Sequence, residues 1–202
     1  MLKRLKKPIL LVCSALLLSS TAIHAAKQPL TIDVAYLQFQ PERPPALSNV
    51  LPEPDDAGLA GAELGIKDSN TTGRFLKQKY QLTHKISSSA EQVLQDGKTL
   101  YNSGIRLFVV NMPSAQLQQF SAAMGNDALI FNAGSQADEL RTDVCLNNVF
   151  HTTPSRAMLT DALGQWLNAK RLKEWLLISG NQPEDKAYAN AIKRTAKRFG
   201  AE

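Results

Sequence analysis

Short apolar runs that favour strands alternate along this chain with longer segments whose polarity pattern is that of helices. We predict helices at residues 57–70, 88–102 and 114–124. They separate predicted strands at residues 30–37, 80–86, 105–110 and 128–131. The last of these strands is apolar without alternation, which is typical of a strand buried on both faces. This order predicts an α/β fold with a doubly wound, mainly parallel sheet.

Beyond residue 147 the alternation continues for a short distance. A short strand is predicted at residues 148–150, and Thr153 followed by Pro154 is typical of the start of a helix. A further strand at residues 174–178 would bury Trp175, and a last helix begins at Pro183 or Glu184. We therefore divide the chain into residues 1–25, an N-terminal α/β lobe at residues 26–152, and the start of an incomplete second lobe at residues 153–202.

The first 25 residues have the three parts of a secretory signal peptide: a basic start, an apolar centre and a small-residue end. Its removal would take away four basic and no acidic side chains, and would lower the net charge from +5 to +1. The remaining chain has no general basic character, so we exclude nucleic acid as a partner. Cys145 would then be the one cysteine left, and we interpret it as a small buried hydrophobe. The chain is predicted to be periplasmic.

Groups for catalysis are not recognisable in the sequence. No nucleophile elbow, phosphate-binding loop, dinucleotide-binding loop or zinc-protease motif is present. His84, His151 and Cys145 are far apart in sequence and have no partners at metal-ligand spacing. We predict a protein that is not an enzyme and that needs no metal or cofactor.

Polar residues follow the third and fourth predicted strands, at the sheet edge where open parallel sheets bind ligands. Gly134 would let a ligand approach the backbone, and free N–H groups at a following helix start would hold an anion. The alternative is that Ser135 and Asp138 only form a capping box for that helix. Tyr188 is an ambiguous aromatic residue near the start of the last helix. The predicted ligand-binding residues are Asn111, Ser114, Asn132, Ala133, Gly134, Ser135 and Tyr188.

Four segments of the chain resemble the periplasmic substrate-binding proteins of ABC transporters, of the branched-chain amino acid type. They are residues 32–37, 61–73 (GAELGIKDSNTTG), 150–155 (FHTTPS) and 175–188. More narrowly, the proline-rich loop at residues 40–54 and the PEDK stretch at residues 183–186 resemble the branch of that family associated with alcohol oxidation dependent on pyrroloquinoline quinone (PQQ).

The resemblance implies two α/β lobes that close around a small-molecule ligand, and a membrane permease of an ABC transporter as partner. It also implies that the loops at residues 111–114 and 132–136 hold the ligand. The Asn-Ala-Gly-Ser loop differs from the serine- and threonine-rich loop of amino acid binders, and about half of the usual chain, mostly the second lobe, is missing. Two alternatives stay open: an exported accessory factor or enzyme of alcohol oxidation, and a truncated product without function. The ligand, the choice between transport and sensing, and the oligomeric state stay undecided.

Overall fold

A five-stranded sheet lies at the centre of the computed structural model, which describes residues 28–42 and 54–202. The predicted signal peptide and most of the proline-rich loop lie outside the described residues. The sheet has the order β2-β1-β3-β4-β5, and β1, β3, β4 and β5 pair in parallel. The strands are β1 (Leu30–Phe39), β2 (Gln78–Ser87), β3 (Leu107–Asn111), β4 (Leu129–Asn132) and β5 (Val149–His151).

Helices connect these strands in the predicted order, which confirms the α/β class with a mainly parallel sheet. None of the helices in the described part of the chain is long and apolar enough to cross a membrane. The helices are α1 (Leu59–Leu76), α2 (Ala90–Asn102), α3 (Ser114–Ala123), α4 (Glu139–Thr142), α5 (Arg156–Ala169) and α6 (Pro183–Phe199).

The core lies between the central strands and the helices α2 and α3. Phe108 of β3 packs edge to face against Phe120 of α3, with ring centroids 5.6 Å apart. Gly97 lets α2 approach the same ring, because a Cβ at this position would lie 2.3 Å from the Phe120 side chain. Ile130 of β4 is also fully buried, but its neighbour Leu129 is 39% exposed, so the predicted burial of this strand on both faces is wrong.

The start of α1 differs from the prediction in its cap and in its packing. The sequence favours Asp55 or Asp56 as the N-cap of α1, but Gly58 stands at the N-cap with a φ of 91° and neither aspartate caps the helix. The spacing of Gly58, Gly61 and Gly65 predicts close packing of one helix face against the sheet, but only Gly58 shows it. A Cβ at Gly58 would lie 2.3 Å from the hydroxyl of Tyr36 in β1, whereas nothing lies within 4 Å of a Cβ placed at Gly61 or Gly65. A further close approach occurs near the end of the helix, where a Cβ at Gly73 would lie 2.6 Å from the carbonyl oxygen of Gln78.

Ser89 and Ser155 cap the helices α2 and α5, one and two residues after the cap positions that the sequence favours, Ser88 and Thr153. The hydroxyl of Ser89 accepts a hydrogen bond from the backbone N–H of Gln92 and caps α2. Ser155, not Thr153, caps α5 through the N–H of Met158. The carbonyl of Thr153 instead accepts a hydrogen bond from the guanidinium of Arg141.

The strand predicted at residues 174–178 does not form. The segment has no regular secondary structure, and the described backbone hydrogen bonds around it are two bonds of 2.8 Å that join Trp175 and Lys173 to Glu202. A strand needs a neighbour along its length, and none of the described strands lies beside it. Leu176 is therefore 88% exposed, and Trp175 is half-buried instead of lying in the core. Cys145 is also exposed, contrary to prediction.

The side chain of Asp161 joins α5 to α6. Its carboxylate lies 2.8 Å from Arg194 and 2.6 Å from Arg198, and accepts a hydrogen bond of 2.7 Å from the hydroxyl of Thr195. Burial opposes ionisation, but the Thr195 hydroxyl and the two guanidinium groups lower the pKa of Asp161 overall. From sequence alone the basic stretch at residues 193–198 is typical of a solvated helix face, whereas in the structure two of its arginines pair with Asp161 on the neighbouring helix.

We predict that Asp161→Asn lowers the free energy of unfolding by about 0.5–2 kcal/mol at pH 7, since both ion pairs are lost. The folded-state pKa of Asp161 is lowered, so its contribution is present above the unfolded pKa and is lost as the pH falls through the folded pKa. Urea unfolding at several pH values measures this, with exposed Asp68→Asn as the control. A deficit that persists unchanged at pH 2 would contradict the ionic origin.

Candidate ligand-binding cleft

A cavity of about 550 Å³ lies at the carboxyl ends of the parallel strands. This volume is in the range of small-molecule sites. Its floor is formed by Phe39 at the end of β1, residues 111–114 after β3 and residues 134–137 after β4. Arg156 at the start of α5 and the first two turns of α6 complete the lining. We call this cavity the cleft.

The first two turns of α6 form the side of the cleft that faces the strand ends. Pro183, Glu184, Ala187 and Tyr188 line it there. The Tyr188 hydroxyl donates a hydrogen bond to the side-chain oxygen of Gln136 in the loop after β4. The residues beyond position 152 therefore contribute a second wall to the cleft.

Asn132 organises the loop after β4 from a fully buried position at the end of that strand. Its amide oxygen accepts hydrogen bonds from the backbone N–H groups of Gly134 at 3.2 Å and Ser135 at 2.8 Å. Its amide nitrogen donates to the carbonyl of Ser135 at 2.7 Å and lies 3.0 Å from Nδ1 of His151 on β5. All the hydrogen-bonding groups of this side chain are therefore used inside the protein.

This arrangement changes the interpretation of the loop. The free N–H groups were expected at a helix start directly after this loop, but the helix begins only at Glu139, and the N–H groups of Gly134 and Ser135 in the loop itself are occupied by Asn132. The alternative capping box is wrong as well, since α4 begins only at Glu139 and Asp138 gives it no side-chain cap. Asp138 instead accepts a hydrogen bond of 2.9 Å from the backbone N–H of Ala157 in α5.

The structure brings most of the predicted ligand-binding residues together and leaves two outside the cleft. Asn132 lies behind the loop, and exposed Ala133 donates its N–H to the carbonyl of Val110. The hydroxyl of Ser135 lines the cleft and also accepts from the N–H of Ala137 at 3.4 Å. The predicted residues that line the cleft are Asn111, Ser114, Gly134, Ser135 and Tyr188.

Buried polar groups fix the strand ends below the cleft. Asn111 reaches the hydroxyl of Tyr36, which donates to Gln38 at 2.6 Å. Burial raises the pKa of Tyr36, so this hydroxyl stays protonated at neutral pH. Burial, and secondarily the charge of Arg141, lowers the pKa of His151. A neutral imidazole agrees with Nδ1 accepting a hydrogen bond from Asn132.

Sequence reasoning missed Arg156, the cationic side chain of the cleft. Its Nε atom is buried, and no described residue accepts a hydrogen bond from it. The guanidinium carbon lies 5.8 Å from the centre of the Tyr188 ring. One signal was available in the sequence: a cation in the first turn of a predicted helix opposes the helix dipole.

The sequence pattern of the periplasmic binding protein family matches residues 53–202. This chain belongs to the periplasmic binding protein family. Its membership agrees with the parallel sheet and with a cleft at the carboxyl ends of the strands. The chain has no match among curated proteins.

Solved structures of ABC-transporter binding proteins share the fold at low sequence identity. A substrate-binding protein of Desulfitobacterium hafniense in complex with leucine has a TM-score of 0.63 and 18% identity. A leucine-, isoleucine-, valine-, threonine- and alanine-binding protein of Brucella ovis has a TM-score of 0.62 and 20% identity. A solute-binding protein of R. palustris in complex with benzoate has a TM-score of 0.59 and 13% identity.

This member of the family spans less than half the length of those relatives. The superpositions cover 85%, 87% and 85% of this chain, but only 48%, 45% and 46% of the three solved chains. The likeness therefore shows the fold of this part of a periplasmic binding protein.

We predict that Asn132→Ala lowers the free energy of unfolding by about 1–3 kcal/mol, because the buried N–H groups of Gly134 and Ser135 lose their acceptor. Thermal and urea unfolding measure the effect. Asn102→Ala, at an exposed helix end, is the control. Equal stability of the two variants would show that the Asn132 amide does not hold the loop.

We also predict opposite effects for alanine at two glycines. At Gly134 a Cβ would lie 2.3 Å from the Asn111 side chain and 2.9 Å from the backbone nitrogen of Met112, so Gly134→Ala forces the two loops of the cleft apart. At Gly61 there is open space within α1, so Gly61→Ala stabilises by about 0.5–1 kcal/mol. Unfolding curves measure both, and stabilisation by Gly134→Ala would refute the close packing of the loops.

Proposed function

We propose that this protein is the substrate-binding component of an ABC transport system and holds a small organic molecule in the cleft. The observation that carries the proposal is the position of the cleft in a member of this family. It lies at the carboxyl ends of the parallel strands, with α6 facing them across the opening. Open α/β sheets bind ligands at this edge.

The composition of the cleft supports binding of an organic molecule. Phe39, Met112, Pro113 and Ala187 offer apolar contact, and Asn111 with Ser114 and other polar side chains can orient a ligand. Small-molecule sites combine these two features. The ligands named for the similar structures are leucine and isoleucine on one side and benzoate and 3,4-dihydroxybenzoic acid on the other. We extend both classes to this protein as candidates.

The proposed role is binding without chemistry. The family and the similar structures are transport-associated binding proteins. Within residues 28–42 and 54–202, no group of three or more His, Cys, Asp or Glu side chains is arranged to hold a metal ion. We propose that the ligand acts by favouring a conformation in which α6 and the strand ends hold it together.

The proposal also covers the location of the protein and its partner. The signal-peptide pattern of residues 1–25 supports a periplasmic location, and the family supports a membrane permease as partner. The link to PQQ-dependent alcohol oxidation rests on the resemblance of residues 40–54 and 183–186. It predicts that a strain lacking the gene grows more slowly on alcohols than its parent, whereas unchanged growth would remove this link.

The binding function is tested by thermal-shift screening of the purified protein against amino acids, aromatic acids and alcohols. A ligand at 100 times its Kd raises the stability by about 2.7 kcal/mol. We expect Ala187→Phe to abolish the shift, because the added ring occupies the cleft. Asn190→Phe, on an exposed position of the same helix, should retain it.

Two outcomes would contradict the proposal. One is a complete absence of binding across the three classes by a protein that unfolds cooperatively. The other is binding that Ala187→Phe leaves unchanged, since the ligand would then lie elsewhere. Turnover of an alcohol or aldehyde by the purified protein would favour the alternative of an exported enzyme.

A further inference from the structure

We infer that residues 174–178 pair with the same segment of a second copy of this chain, as an antiparallel ribbon in register about Leu176. The segment becomes a strand only in that pair. The inference goes beyond the proposed function, because none of these residues lines the cleft.

Exposed apolar surface is concentrated around this segment. Of the fourteen large apolar residues that are exposed in the described part of the chain, seven lie between residues 158 and 178. Leu176 and Ile178 are almost fully exposed, whereas Trp175 and Leu177 are half-buried. Exposure that alternates with a period of two is the pattern of a strand with one covered face. Large exposed apolar surfaces mark sites of interaction with other molecules.

The backbone of the segment has one edge without a partner among the described residues. An extended chain points the N–H and C=O groups of successive residues alternately to its two edges. Glu202 bonds to the carbonyl of Lys173 and to the N–H of Trp175, so the odd-numbered residues face Glu202. The even-numbered residues face the opposite edge, where no described group accepts a hydrogen bond from the N–H of Leu176 or Ile178. An added strand forms its hydrogen bonds with groups of this kind.

The distribution of charge selects a second copy in antiparallel orientation. Charges lie only at the start of the segment, at Lys173 and Glu174, and residues 175–180 have none. Antiparallel pairing about Leu176 places Glu174 of each copy opposite Ile178 of the other, so no like charges meet. Parallel pairing would bring the two Glu174 carboxylates together, which destabilises a strand pair. The antiparallel contact is closed by a twofold axis and leaves the other edge of each segment unused.

The edge of the five-stranded sheet at β2 is protected against such pairing. This strand carries Lys79 and Lys85. Charged side chains, lysine above all, keep edge strands from pairing with other chains. Residues 175–180 lack this protection, so their free edge is open to a second copy.

Apolar residues next to the segment enlarge the surface available for the contact. Two short strands alone bury too little surface for a stable dimer. Leu163 and Trp166 of α5, and Leu172 after it, are about half exposed and belong to the same stretch of chain. They offer the additional apolar area that a dimer needs.

Opposite charges at one exposed position test the register. Ile178→Glu would face the Glu174 carboxylate of the other copy, whereas Ile178→Lys would form a cross-strand ion pair with it. Sedimentation of the purified protein without ligand measures the Kd of the dimer. We expect this Kd to be roughly tenfold higher for Ile178→Glu than for Ile178→Lys. Phe75→Glu and Phe75→Lys, at an exposed position of α1, make the same changes in net charge and should give equal Kd values.

Amide hydrogen exchange identifies the edge that is used. We expect the N–H groups of Leu176 and Ile178 to become protected as the protein concentration rises through the Kd, while that of Leu177, on the Glu202 edge, does not. A monomer at every concentration, or equal Kd values for the two Ile178 variants, would overturn the inference. Protection of Leu176 in a monomer would also overturn it, since another segment of this chain would then cover the edge.

Discussion

The buried side-chain amide of Asn132 is the interaction on which the geometry of the cleft depends. It stands at the last position of β4, bonds the loop that follows and contacts His151 on the neighbouring strand. Loop, β4 and β5 therefore form one hydrogen-bonded unit below the cleft. The N–H groups of Gly134 and Ser135 are satisfied within the protein, so this loop does not offer them to a proposed ligand.

A second set of polar contacts connects this loop to the helices α5 and α6. Asp138 connects the loop to the start of α5, and Asp161 connects α5 to α6. The wall of the cleft that contains Tyr188 is thus joined to the strand ends through the helix α5 and two carboxylates, those of Asp138 and Asp161. Both are partly shielded from solvent, which strengthens their electrostatic interactions relative to those of fully exposed charges.

The order of strands and helices was predictable from sequence because each element is decided by local polarity. The features that the sequence did not predict depend on contacts between residues that are far apart in the chain. Residues 174–178 are apolar enough for a strand, but no described strand lies along them. The helix predicted after Gly134 is only the single turn of α4, because hydrogen bonds to Asn132 hold the preceding backbone in a turn. Five of the residues expected at the cleft line it, because the carboxyl ends of parallel strands lie at the same edge of the sheet. Arg156 comes from α5, and the sequence did not indicate that the start of this helix lies beside the cleft.

The hydrogen bond between Tyr188 and Gln136 would make entry of the proposed ligand an exchange of contacts. A molecule that inserts between these residues displaces a bond that already exists, so its affinity reflects only the difference between old and new contacts. A hydrocarbon of suitable size would leave the Gln136 oxygen without a donor, and that loss offsets the gain from apolar contact. The cleft would therefore discriminate between proposed ligands by polarity, before any other group of the ligand is recognised.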